Sequence, residues 1–169
     1  YLHDRQPPVI HRDIKPSNVM RRDDDGRLVL IDFGSVRAAL EPEEGGSTVA
    51  GTFGYMPPEQ FRGVATPASD VYGVGALAVE LVTRKSPQEL LDAQNQLDWK
   101  DHADVSPGFY RLLEQTLSMR PEKRPTDGGA LSQAVASYDP LHRQHPTRQA
   151  EQDEQLAENE GWQANKALH

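Results

Sequence analysis

The sequence predicts a mainly helical fold carrying one short β-hairpin, and three stretches decide it. "NVM" and "LVLIDF" are apolar runs separated by "RRDDDGR". An Asp-Gly pair between such runs is a hairpin signal, so two strands should meet at a turn around Asp25 and Gly26. "TPASDVYGVGALAVELVT" is apolar on nearly every face behind Pro67 and the capping types Ser69 and Asp70. That pattern predicts a helix buried in a core. "SPGFYRLLEQTLSM" and "DGGALSQAVASY" show amphipathic spacing behind a Ser and an Asp, so each predicts a capped helix.

Taken in chain order, "YLHDRQPP" reads as the end of a helix and lacks an initiator Met, so the chain is expected to be a piece of something longer. Next, "IHRDIKPSNVM" packs His11, Arg12, Asp13, Lys15 and Asn18 between apolar neighbours. Polar groups at that density are either a solvated turn or a site. After the hairpin, residues 34 to 56 are rich in Gly, Glu, Ser and Thr and show no periodicity. Connections of that length tend to be functional or disordered. Gly73 and Gly75 each cost the buried helix up to about 1 kcal/mol relative to Ala, and close packing would explain them. From Asp139 to His169 the chain is polar and nearly core-less, and it reads as a tail with a fraying helix around residues 148 to 160.

Composition narrows the function classes. The apolar fraction of 36% supports a core but is low for 169 residues that are compact throughout, in keeping with a tail. There is no cysteine, so disulfide frameworks and thiolate metal sites are excluded, and a reducing, cytoplasmic setting fits. The net charge of -8 argues against general nucleic-acid binding. No apolar run approaches a membrane span, and no secretory leader is visible.

Four signatures occur in order: "HRDIKPSN" (11 to 18), "DFG" (32 to 34), "GTFGYMPPE" (51 to 59) and "SDVYGVG" (69 to 75), followed by "KRP" at 123 to 125. Each alone is weak, but their order and spacing together have no bland explanation. Over residues 1 to 138 the sequence resembles the C-terminal lobe of a eukaryotic-type serine/threonine protein kinase, in the style of its bacterial members.

The resemblance implies roles. Phosphoryl transfer needs a positioned acceptor hydroxyl, a carboxylate to take its proton late, and cations to neutralise phosphate charge. Asp13 matches the family's catalytic base, and Lys15 the residue that reaches the transferred phosphate in Ser/Thr kinases. Asn18 and Asp32 match the ligands of Mg2+ (or Mn2+), which bridges the phosphates of ATP. Val19 and Met20 stand where the family packs the underside of the adenine, although a plain core role suits them nearly as well. His11 and Phe33 would stack in the column linking the lobes, and Asp70 would accept hydrogen bonds from the catalytic-loop backbone. Glu59 and Arg124 match an ion pair closing the activation segment, against the alternative of two surface charges. Within that segment, Thr52 matches the threonine that contacts the base. Ser47 and Thr48 lie where many kinases carry an activating phosphate, with Arg12 and Arg37 to receive it. Glu41, Glu43 and Glu44 could fill the same basic pocket, but solvated loop charges are the simpler reading.

There are departures from the family pattern. Pro57 replaces the usual Ala before Pro-Glu, Gly73 stands where Ser is usual, and Arg120 stands where Asp is usual; none touches a catalytic group. A Gly-rich loop, a strand Lys and its helix Glu are missing, so the N-terminal lobe that forms half of an ATP pocket should lie upstream in the same polypeptide. The chain by itself should therefore be inactive. The partner expected for the whole protein is a protein substrate bearing Ser or Thr. The alternatives are a non-catalytic, kinase-like interaction module and a pseudokinase. Intact Asp13, Asn18 and Asp32 favour the enzyme.

Overall fold

The computed structural model describes residues 1–34 and 51–138. Arg37, Glu41, Glu43, Glu44, Ser47 and Thr48, together with the tail from Asp139, lie outside the described residues.

The hairpin forms where the Asp-Gly pair predicts it. Strands β1 (Val19–Arg21) and β2 (Leu28–Leu30) pair antiparallel in the register Val19↔Leu30, Met20↔Val29 and Arg21↔Leu28. The turn closes through Arg22 N–H to the Arg27 carbonyl at 2.8 Å, with Gly26 left-handed at φ 69. Ile31 N–H continues the pairing to the Asn18 carbonyl at 2.8 Å. A 3-10 turn over Pro16–Asn18 precedes β1 and turns Asn18 back toward Asp13.

Among the described residues, four complete α-helices follow the hairpin: α1 (Pro58–Phe61), α2 (Pro67–Thr83), α3 (Pro107–Thr116) and α4 (Gly128–Ala136). Helix α2 is the axis, packing against both α3 and α4. Its N-cap is Thr66, which shares a reciprocal capping box with Ser69, so Ser69 acts from inside the first turn. Asp70 does not cap this helix; its carboxylate is committed to the backbone N–H groups of His11 and Arg12.

Close packing accounts for the two glycines. A Cβ on Gly75 would sit 2.7 Å from Thr116 Oγ1 of α3, and one on Gly73 would sit 3.1 Å from Ile14 Cβ. Val79, Leu90, Trp99 and Leu113 form one core cluster, and Tyr55, Tyr72 and Ala76 a second beside the site. Burying aliphatic side chains such as Val79 and Leu113 stabilises the fold by about 1.5–3 kcal/mol each.

Three expectations need correction. Helix α2 is not buried all round: Val74, Leu81 and Val82 are exposed, because α3 and α4 cover only part of its circumference. The first residues form a turn rather than a helix end, with Val9 N–H bonded back to the Leu2 carbonyl at 3.0 Å. Ser106 precedes α3 without a side-chain capping bond, and its hydroxyl meets the Tyr138 hydroxyl instead. Asp127 does cap α4, accepting from Ala130 N–H at 2.8 Å.

Candidate active site

The site begins with an anchor. Asp70, buried at the start of α2, accepts from the N–H groups of His11 (Oδ2) and Arg12 (Oδ1), each at 2.8 Å. A buried carboxylate is tolerated only with such bonds, and here they pin the loop to the most buried helix. His11 is fully buried. Its Nε2 donates to the Ile31 carbonyl at 3.0 Å, Nδ1 faces Asp13 N–H at 3.4 Å, and its ring meets Phe33 edge-on at 5.0 Å.

Three donors converge on the Asp13 carboxylate. Thr52 donates its hydroxyl to Oδ1 at 2.6 Å, while Asn18 Nδ2 donates to Oδ2 at 3.0 Å. Lys15 Nζ lies 2.9 Å from Oδ2 and also donates to Thr52 Oγ1 at 2.7 Å. Burial pushes the Asp13 carboxyl up, but the Thr52 and Lys15 hydrogen bonds, the Lys15 charge and the Asn18 bond together hold it below its ordinary value. A carboxylate offers roughly four lone-pair directions, and three are used, so one on Oδ1 stays open for an incoming hydroxyl.

Hard oxygens lie at the hairpin's edge. Asn18 also gives its Nδ2 to the Asp13 carbonyl at 2.8 Å, so the amide nitrogen is committed and Oδ1 remains for a ligand. Asp32 is exposed and left-handed (φ 62); Oδ1 accepts from Gly34 N–H at 3.1 Å, leaving Oδ2. Two oxygens of this kind suit a Mg2+ ion that takes its other ligands from phosphates and water.

Behind the site, Arg124 and Glu59 form a buried two-pronged pair at 2.6 and 3.1 Å. Ser69 donates to Glu59 Oε1 at 2.8 Å, and Arg124 also donates to the Ala68 and Ser118 carbonyls at 3.0 and 2.7 Å.

Residues 1–138 match the protein kinase domain. The chain belongs to the protein kinase family. It is similar to serine/threonine-protein kinase PknA of Nostoc sp. (37% identity over 83% of this chain and 27% of that protein). It is similar also to serine/threonine-protein kinase B of Synechocystis sp. (38%, over 70% and 22%). Among solved structures it resembles the chain described as "PpkA-294 apo form", with TM-score 0.56 and 26% identity over 77% of this chain and 47% of that one. The chain thus spans about a quarter of the length of the curated relatives it matches.

Within this kinase fold the structure gathers Asp13, Lys15, Asn18 and Thr52 into one network, with Asp32 beside it. Glu59 with Arg124, and Asp70 with His11, form the scaffold behind. Met20 and Phe33 are exposed, and Val19 is half-buried.

Sequence reasoning missed further parts of this scaffold. His3 Nε2 donates to Asp70 Oδ2 at 2.9 Å, while its Nδ1 accepts from Gly128 N–H at 3.0 Å, joining the first turn to α2 and α4. Tyr55 donates its hydroxyl to the Glu80 carboxylate, tying the segment after Thr52 to α2. Burial, then the Glu80 bond and charge, push that phenol far above its usual range. None of these three pairs has a local signal, since each joins residues distant in sequence.

Proposed function

We propose that this chain is the C-terminal half of an ATP-dependent protein serine/threonine kinase that transfers the ATP γ-phosphate to Ser or Thr hydroxyls of a protein substrate. The single observation that carries the reading is the Asp13 carboxylate, ionised and oriented by Thr52, Lys15 and Asn18 with one lone-pair direction open. A substrate hydroxyl at that position would be aligned by Asp13 and would give up its proton to it as the new bond forms. Lys15, already among the site's oxygens, would balance negative charge as it builds. Bound ATP would supply the phosphoryl group, and Mg2+ or Mn2+, which Asn18 and Asp32 would hold, would supply charge neutralisation.

The N-terminal lobe is proposed to lie in the same polypeptide. Met20, opposite Val29 in the hairpin, and Phe33 are both exposed, and a second lobe would cover them. The reading puts the domain in the cytoplasm with ATP. Among the described residues no helix is long and apolar enough to cross a membrane, and a membrane segment elsewhere in the polypeptide is compatible with this. We assign residues 1–138 to the lobe and 139–169 to a tail outside it.

The test is radiolabel transfer from ATP to a generic basic protein. The bare chain should be inert, and the polypeptide with its N-terminal lobe should label Ser or Thr in a magnesium-dependent way. A full-length protein that binds ATP but stays inert would favour the interaction-module reading.

A second expectation concerns regulation. A phosphate on Thr48 or Ser47 adds nearly two negative charges and one to three charge-assisted hydrogen bonds, with Arg12 and Arg37 as receivers. Ser47→Ala with Thr48→Ala in the full-length protein should lower activity about tenfold or more. Undiminished activity in that double variant would remove the phosphate from the account.

A further inference from the structure

We propose that Gln60 is a positioning residue for the catalytic loop: its amide fixes the Arg12 carbonyl, and with it the peptide that presents Asp13. The inference rests on the reading of Asp13 as the base.

Arg12 has φ 70, a left-handed backbone that a non-glycine residue keeps only where its surroundings hold it. Two side chains do so from opposite sides. Asp70 Oδ1 accepts from Arg12 N–H at 2.8 Å, and Gln60 Nε2 donates to the Arg12 carbonyl at 2.5 Å. Asp70 therefore fixes the peptide between residues 11 and 12. The next peptide unit contains the Arg12 carbonyl and the Asp13 N–H in one rigid plane, so holding the oxygen also aims the N–H. That N–H's own contact, to His11 Nδ1 at 3.4 Å, is too long to hold the plane alone.

The surroundings are shaped to this bond. Gln60 is buried. A Cβ on Gly51 would lie 2.6 Å from Gln60 Nε2 and 2.8 Å from the Arg12 oxygen, so only glycine admits the approach. Gly51 also has φ 134, which glycine adopts freely. Its neighbour Thr52 donates to Asp13. Gln60 thus sits where the end of the activation segment meets the backbone of the base, and it couples the placement of one to the other.

The test uses the full-length polypeptide carrying Gln60→Met, which keeps the side chain's length and removes its donor, beside Gln60→Ala. Steady-state kinetics and amide hydrogen exchange at Arg12 and Asp13 are read together. Gln60→Met should lower kcat about 10- to 100-fold, with KM for ATP within about twofold of wild type. Exchange at the two amides should rise about tenfold, the factor expected for losing one buried hydrogen bond. Gln60→Ala should match it in kcat and lose more in thermal midpoint, because packing goes as well. Wild-type kcat in Gln60→Met overturns the proposal, as does a fall in kcat without faster exchange. If the wild-type protein is itself inert, the kinase reading fails while exchange still decides the clamp: faster exchange in Gln60→Met upholds it, and unchanged exchange overturns it.

Discussion

Asp13→Asn in the full-length polypeptide is expected to lower turnover about 10²- to 10⁴-fold, the range a positioned general base contributes. The change looks conservative, but three donors face this carboxylate. Thr52 approaches Oδ1, while Lys15 and Asn18 approach Oδ2. An Asn side chain offers one oxygen and one NH₂ group, so one side must set donor against donor. Turning the Thr52 hydroxyl round relieves that clash, since its second lone pair can accept beside the Lys15 bond at 2.7 Å, but the Oδ1 position then holds an NH₂ group, which cannot take a proton. The variant therefore loses the proton acceptor even where the loop stays aligned. ATP affinity should change little, since the Asn18 and Asp32 oxygens remain. Turnover within tenfold of wild type would mean that Asp13 is not the base.

How far the sequence could anticipate this site follows from the range of each interaction. His11, Asp13, Lys15 and Asn18 stand out locally as a dense polar cluster, but their roles and that of Asp32 come from family resemblance, while the Asp-Gly turn that brings Asn18 and Asp32 together is itself local. Glu59 and Arg124 were readable only through family resemblance, being 65 residues apart. Gln60 was not readable: one glutamine after an acidic residue has no signature, and its partner is a carbonyl 48 residues upstream. The span between α2 and α3 was equally opaque. It holds two 3-10 turns and a single bridge, Leu91 to Leu97, around buried Trp99, elements too short to leave a periodic trace. The apolar residues of α2 gave the helix but not its exposed side, because periodicity cannot say how many neighbours arrive to cover it.

Arg124→Ala should destabilise the domain by about 3–5 kcal/mol, a drop of roughly 10 °C or more in the thermal midpoint. The reason is what it leaves behind. The Glu59 carboxylate is buried, and without Arg124 its remaining side-chain donor is Ser69 at 2.8 Å. Glu59→Ala should cost less, because the stranded guanidinium keeps the Ala68 and Ser118 carbonyls and lies 5.0 Å from the centre of the Tyr72 ring. The order of the two single variants is thus a sharper test than either magnitude, and a double-mutant cycle should show strong coupling. The pair also sets an acid limit. Burial raises the Glu59 carboxyl, but the Arg124 bonds, Glu59's own backbone N–H and Ser69 outweigh it and hold the group below its ordinary 4.5. A depressed value in the folded state gives stability that is present above about 4.5 and lost as pH falls through the folded value. Asp13, also held below its ordinary 3.8, acts in the same direction. Thermal midpoints should therefore decline below about pH 4.5, and the decline should be shallower in Glu59→Ala, where that carboxyl is gone. Because Glu59 adjoins Gln60, loosening the pair should also lower kcat at temperatures where the variant is still folded. An Arg124→Ala protein as stable as wild type, or less perturbed than Glu59→Ala, would show that this buried pair is not what closes the segment onto the lobe.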